Sequence, residues 1–138
     1  MLYAPIGREL NTSALFTMLK NNNIDVYLPF TKDGIIYPQN ADKLGQPDRL
    51  GNIPCECHSQ LDLSCNHIPK FCVVPLVGIN SKGFRLGYGK GCYDRFFANH
   101  TNIYKIGLCF DCQLAEFREE PHDIPLDCCV TETKVIYF

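Results

Sequence analysis

The sequence predicts an open α/β fold, a mostly parallel sheet flanked by helices in three layers (α/β/α), with residues 1–138 as a single domain. Three observations carry this expectation. The apolar run Phe71-Cys72-Val73-Val74-Pro75-Leu76-Val77-Gly78-Ile79 leads into a glycine-rich stretch, a short amphipathic run from Tyr93 to Phe97, and a second apolar run, Tyr104-Lys105-Ile106-Gly107-Leu108-Cys109-Phe110. That order reads strand, loop, helix, strand, and such a unit implies parallel strands joined by a right-handed crossover. Helical and extended patterns alternate on either side of it, and 138 residues with 46% hydrophobic and 20% charged content suffice for a real core.

The elements follow in chain order. Leu10, Ala14, Leu15, Met18 and Leu19 mark one face of a helix over residues 10–20, with Asn11, Thr12 or Ser13 as candidate caps and Asn21-Asn22-Asn23 as its end. Ile24, Val26 and Leu28 alternate as a strand expected to stop at Pro29, and Ile35-Ile36-Tyr37 is a second short extended piece. Residues 38–70 are rich in Pro, Gly, Asp and Asn and read as a long loop. After the Phe71–Ile79 strand, a helix is expected over about Tyr93 to His100, then the Tyr104–Phe110 strand and a helical turn over Gln113–Phe117. A loop with two prolines covers residues 119–127. A last strand begins at Cys128-Cys129-Val130 and resumes through Val135-Ile136-Tyr137.

Composition removes several classes of function. A net charge of −2 gives nucleic acid no electrostatic support. No apolar run reaches membrane-spanning length, and the N-terminus lacks the pattern of a secretory signal, so a cytoplasmic protein is expected. The nine cysteines are odd in number and read as thiols in a reducing compartment. Cys72, Cys109, Cys128 and Cys129 lie in apolar runs and are expected to pack as small hydrophobes. Cys55-Glu56-Cys57-His58 with Cys65-Asn66-His67 could bind zinc, although the Cys-x-Cys spacing is not the usual knuckle.

The chemistry concentrates in Gly83-Phe84-Arg85-Leu86-Gly87-Tyr88-Gly89-Lys90-Gly91-Cys92-Tyr93-Asp94-Arg95. Glycines let the backbone approach an anion, and the following helix points free N–H groups and its positive dipole end at the same space. Lys90 and Arg85 can neutralise phosphate charge, and Asp94 can hold a magnesium ion. The spacing is not that of a Walker A loop, since Gly89-Lys90 is followed by Gly91 and Phe84 stands five before Gly89. It is not a Rossmann fingerprint either, because the glycines read G-x-G-x-G. If parallel strands bring the glycine loop and the 119–127 loop to one edge, Asp94 and Asp123 face one magnesium ion with phosphate between it and Lys90.

The stretch Arg85–Arg95 resembles the ATP-site signature of the 5-formyltetrahydrofolate cyclo-ligase family, Arg-Leu-Gly-x-Gly-x-Gly-Tyr-Tyr-Asp-Arg. Further stretches agree in order: Glu9-Leu10-Asn11-Thr12, Val26-Tyr27-Leu28-Pro29, Val74-Pro75-Leu76-Val77-Gly78, Ile106–Leu114, Pro121-His122-Asp123-Ile124-Pro125-Leu126-Asp127 and Val130-Thr131-Glu132. The resemblance covers nearly the whole chain and is weakest at 31–70. It implies ATP- and Mg2+-dependent closure of 5-formyltetrahydrofolate, with or without a polyglutamate tail, to 5,10-methenyltetrahydrofolate, by a monomer. By resemblance, Arg85, Leu86, Gly87, Tyr88, Gly89, Lys90, Gly91, Cys92 and Tyr93 contact ATP, with Lys90 and Arg85 acting on the transferred phosphoryl group. Ala4, Glu9 and Tyr88 to Cys92 (through Gly89, Lys90 and Gly91) contact the folate, and Asp94 and Asp123 hold the metal.

Each residue also has a plainer reading. Asp94 could cap its helix or pair with Arg95, Asp123 and Asp127 could be turn residues beside proline, and Glu9 could be a solvated first-turn carboxylate. Tyr93, Phe96 and Phe97 fit the core face of the helix. Two departures stand out. Cys92 replaces the first tyrosine of the family's pair, and the chain starts at about the point where the family's usual basic N-terminal segment ends. The rival readings are a catalytically weak or inactive nucleotide/folate binder and a zinc-stabilised interaction module built on residues 55–67.

Overall fold

A computed structural model describes residues 1–7, 9–43 and 67–138. Two helices and eight strands lie in these segments. Helix α1 is Ser13–Asn21, and β1 (Tyr27–Lys32) and β2 (Ile35–Asn40) form an antiparallel hairpin. The central sheet joins β3 (Phe71–Val74), β6 (Tyr104–Leu108), β7 (Cys128–Val130) and β8 (Val135–Tyr137) in that order. Its first two pairings are parallel and the last is antiparallel. Between β3 and β6 lie a small antiparallel pair, β4 (Gly78–Ile79) with β5 (Arg85–Leu86), and helix α2 (Cys92–Asn99).

Alternation along β3 builds the three layers. Cys72 and Val74 face one side, where they pack with Phe96 and Phe97 of α2 and with Ile103, Cys109, Leu126 and Cys129. Val73 faces the other, with Leu2, Tyr3, Val26 and Leu28, against Leu15, Phe16 and Leu19 of α1. Burial of one large side chain such as Phe97 is worth roughly 2–3 kcal/mol. The N-terminal residues tie hairpin to sheet: the Leu2 N–H donates to Tyr27 O at 2.8 Å, and the Val73 N–H donates to Met1 O at 2.9 Å.

Several expectations are corrected. The α1 face is rotated: Leu15, Phe16 and Leu19 turn inward, while Met18 is 53% exposed and Ala14 is exposed too. Thr12 does not cap by its side chain but donates its hydroxyl to Tyr3 O at 2.9 Å. The first strand does not stop at Pro29, since β1 runs to Lys32 with Pro29 directly opposite Pro38. Two prolines can face each other where the ladder asks neither for an N–H. The Phe71–Ile79 run is not one strand, because the chain leaves the central sheet at Pro75 and β4 pairs with β5 instead. Gln113 secures that break by donating its amide to Leu76 O at 3.2 Å and Val77 O at 3.0 Å. The helical turn forms at Asp111–Gln113 rather than over 113–117, and the last strand is two, folded back on each other. Of the long loop expected at 38–70, residues 38–40 belong to β2 and residues 44–66 lie outside the described residues.

Candidate active site

The β4–β5 hairpin delivers the glycine loop. Buried Asn80 holds its turn, accepting from the N–H groups of Lys82 at 3.1 Å and Phe84 at 3.0 Å. Arg85, next on β5, turns inward rather than to solvent. Its Nη2 meets Asp94 Oδ2 at 2.9 Å, with the two side chains only 7% and 12% exposed. The guanidinium lies over the Tyr93 ring, 5.2 Å from its centroid. Arg85 Nε is buried without a hydrogen-bond partner among the described residues.

Beyond Leu86 the loop opens outward. Gly89 has φ +79° with open space where a Cβ would stand, and Gly91 (φ +59°) is the residue from which α2 starts. Both lie in the left-handed region that glycine enters without strain. Tyr88 is 69% exposed, Lys90 is exposed, and the Lys90 ammonium has no ion pair among the described residues. Cys92 is half-buried, its Sγ 3.8 Å from Lys90 O. Arg95, in the first turn of α2, reaches back to Lys90 O at 2.7 Å and across to Gly34 O at 3.1 Å.

The 119–127 loop does come to the same place. The Ile124 N–H donates to Asp94 Oδ1 at 3.3 Å, and the Leu126 N–H donates to Gly83 O at 2.9 Å. Asp123 itself accepts from the Glu120 N–H at 2.8 Å, the turn role open to it from sequence. Asp127 is occupied elsewhere, with Lys105, whose N–H reaches Oδ2 at 2.6 Å and whose ammonium reaches it at 2.8 Å. Asp94 neither caps α2 nor pairs with Arg95; its partner is Arg85. No group of three or more His, Cys, Asp or Glu side chains converges among the described residues. Of the residues that could bind zinc, Cys55, Cys57, His58 and Cys65 lie outside those residues, and His67 stacks on Tyr27 with centroids 4.7 Å apart.

Ala4 is exposed, and Glu9 Oε2 accepts from the Ile6 N–H at 2.8 Å, closing a local turn. The Glu9 charge is felt by two tyrosines. Burial first, then Glu9, pushes the Tyr3 hydroxyl up to about 12, and burial chiefly, with Cys72 and Glu9 adding, holds Tyr93 well above its ordinary value. The interior thiols behave as packing: burial raises Cys72 to about 12 and Cys109, Cys128 and Cys129 upward as well. The Asp33-Gly34 turn beside this site had a signal in the sequence, an Asp-Gly pair between apolar runs, which marks a tight hairpin.

The family model described as the 5-formyltetrahydrofolate cyclo-ligase family matches residues 1–132. The chain belongs to that family. It is 33% identical over 133 residues to a 5-formyltetrahydrofolate cyclo-ligase of Haemophilus influenzae, covering 91% of this chain and 71% of that protein. Two solved structures share the α/β fold. A 5,10-methenyltetrahydrofolate synthetase from Mycoplasma pneumoniae superposes with a TM-score of 0.68 at 26% identity, covering 93% of this chain and 70% of that one. The corresponding synthetase of Aquifex aeolicus gives 0.71 at 25% identity, covering 99% and 69%.

Proposed function

We propose that this family member converts 5-formyltetrahydrofolate to 5,10-methenyltetrahydrofolate at the expense of ATP. The carrying observation is the open Gly87–Gly91 loop, with Lys90 at its rim unpaired among the described residues, running into the N-terminus of α2, where the Ile124 N–H meets Asp94. Backbone N–H groups at such a helix start suit phosphate, and Lys90 is free to offset charge building on the transferred group. Phosphoryl transfer to the formyl oxygen needs positioning and charge neutralisation more than covalent help, so no side-chain nucleophile is required. Attack of N10 on the activated formyl carbon then closes the ring and expels phosphate. Exposed Tyr88 offers an aromatic face where the folate and the nucleotide meet.

The donor set suits magnesium, which takes one or two carboxylates and completes its shell with phosphate oxygens and water. Asp94 and Asp123 would hold it, since each keeps oxygen lone pairs beyond the bonds described above. Once bound, the ion would neutralise phosphate charge. No helix among the described residues is long and apolar enough to cross a membrane, and the buried free thiols suit a reducing, cytoplasmic setting. The test is formation of the methenyl chromophore from 5-formyltetrahydrofolate by the purified chain, with ATP and magnesium each omitted in turn. Turnover that needs both is expected. Bound ATP without product would favour a non-catalytic binder.

A further inference from the structure

We infer that Arg95 is a positioning residue that fastens the glycine loop to the tip of the β1–β2 hairpin, holding the loop in its phosphate-receiving shape. Resting on the function proposed above, this makes the hairpin turn, 61 residues away in sequence, a working wall of the site. Arg95 Nη2 donates to Lys90 O at 2.7 Å and to Gly34 O at 3.1 Å, and Nε reaches Gly34 O at 3.4 Å. Cys92 Sγ stands 3.7 Å from the same Nη2. Arg95 has no carboxylate partner among the described residues, so its hydrogens go to main-chain carbonyls of two separate elements.

The geometry at the far end is specific. Asp33 (φ +52°) and Gly34 (φ +77°) form the two-residue turn of the hairpin. Both angles are those of a type I′ turn. A Cβ on Gly34 would stand 2.7 Å from Arg95 Nη2, so a glycine is needed there both for the turn and for the guanidinium. A planar fork can serve two carbonyls at once, and a lysine ammonium on a flexible stem cannot hold the same geometry. What the clamp supplies is order. A loop with glycine at 87, 89 and 91 loses much conformational freedom when it closes on a ligand. Fixing the Lys90 carbonyl beforehand removes part of that cost from nucleotide binding.

The experiment combines Arg95→Lys, Gly34→Ala and the double variant in the full chain. Steady-state kinetics are read alongside hydrogen exchange of the 87–91 amides in the ligand-free protein. Each single change is expected to raise KM for ATP about tenfold with kcat within about twofold, as lost pre-organisation does. The double variant is expected to be no worse than the poorer single, because both cut the same tether. Faster exchange at 87–91 should accompany both. Wild-type kinetics in Arg95→Lys, or single effects that multiply, would overturn the proposal. So would a fall in kcat on changing Arg95 with Gly34→Ala silent, which would place Arg95 on the ligand itself. If the wild-type chain turned over no ATP, the proposed function would fail alone. Exchange would still decide the tether, with unchanged rates in both variants counting against it.

Discussion

Asp94→Asn separates a structural from a metal-binding role for the signature's carboxylate. Arg85 and Asp94 form a buried pair, 7% and 12% exposed, and Arg85 Nε already lacks an acceptor among the described residues. Removing the negative partner strands a guanidinium inside the fold, and breaking a buried pair this way costs about 3–5 kcal/mol. Asparagine can still accept from the Ile124 N–H, so the lower end, about 3 kcal/mol, is expected. With an m-value of about 1.5 kcal/mol/M, that lowers the urea midpoint by about 2 M. The assay is equilibrium urea unfolding without magnesium or nucleotide, where a metal ligand has nothing to hold. The double replacement Arg85→Met with Asp94→Leu removes both charges and should recover to within about 1 kcal/mol of the wild type. A loss below about 1 kcal/mol for Asp94→Asn would refute the reasoning. It would also return Asp94 to a role exercised only with ligand bound. Without this control, lost activity in an Asp94 variant does not identify a metal ligand.

Two further outcomes follow from the core. Gly107→Ala would place a Cβ 2.8 Å from Leu126 Cδ1, 2.9 Å from Leu76 Cδ2 and 3.2 Å from Cys129 Sγ. Overpacking of this kind should cost about 2 kcal/mol and lower Tm by roughly 4–8 °C, and an unchanged Tm would show slack beneath β6. Stability should also fall in alkali: the Cys72 thiol is held at about 12 against an ordinary 9.0. The unfolded chain gives up that proton first, so stability is whole below about pH 9 and drains away as pH rises toward 12, by roughly 1.4 kcal/mol per unit. Urea unfolding from pH 8 to 10.5 measures the slope. Cys72→Ala should make it shallower by its own share, Cys109, Cys128 and Cys129 keeping the remainder, and equal slopes would assign the loss to those thiols and Tyr3.

The sequence made the strand–loop–helix–strand unit legible because β3 and β6 lie in bounded apolar runs, α2 is amphipathic, and glycine and proline punctuate them. The ordered motifs made the family legible. What stayed hidden were partners. Nothing in the apolar run Phe71–Ile79 distinguishes the half that joins the sheet from the half that turns away, except Pro75. Phe16 lies off the stripe read for α1, and it packs against a cluster of Leu2, Tyr3, Val26, Leu28, Ala41 and Val73 drawn from distant parts of the chain. Arg85 reads as a cation for phosphate, and its pairing with Asp94 stayed hidden because that carboxylate stands nine residues on, across the loop. Every charged residue of a signature invites a ligand role. Here Arg85 and Asp94 are first of all partners of each other.

The same residues show how shape and charge are divided. The glycine loop is fastened at both ends by neighbours in the first turn of α2: Asp94 draws Arg85 inward behind it, and Arg95 ties Lys90 O outward to Gly34. Two of the three cations in the signature therefore spend their hydrogen bonds on holding a flexible backbone still. Lys90, whose carbonyl is fixed and whose ammonium is unpaired among the described residues, is the one of the three without such a task. A loop of three glycines can be open enough for an anion and still defined because its order comes from the side chains that flank it.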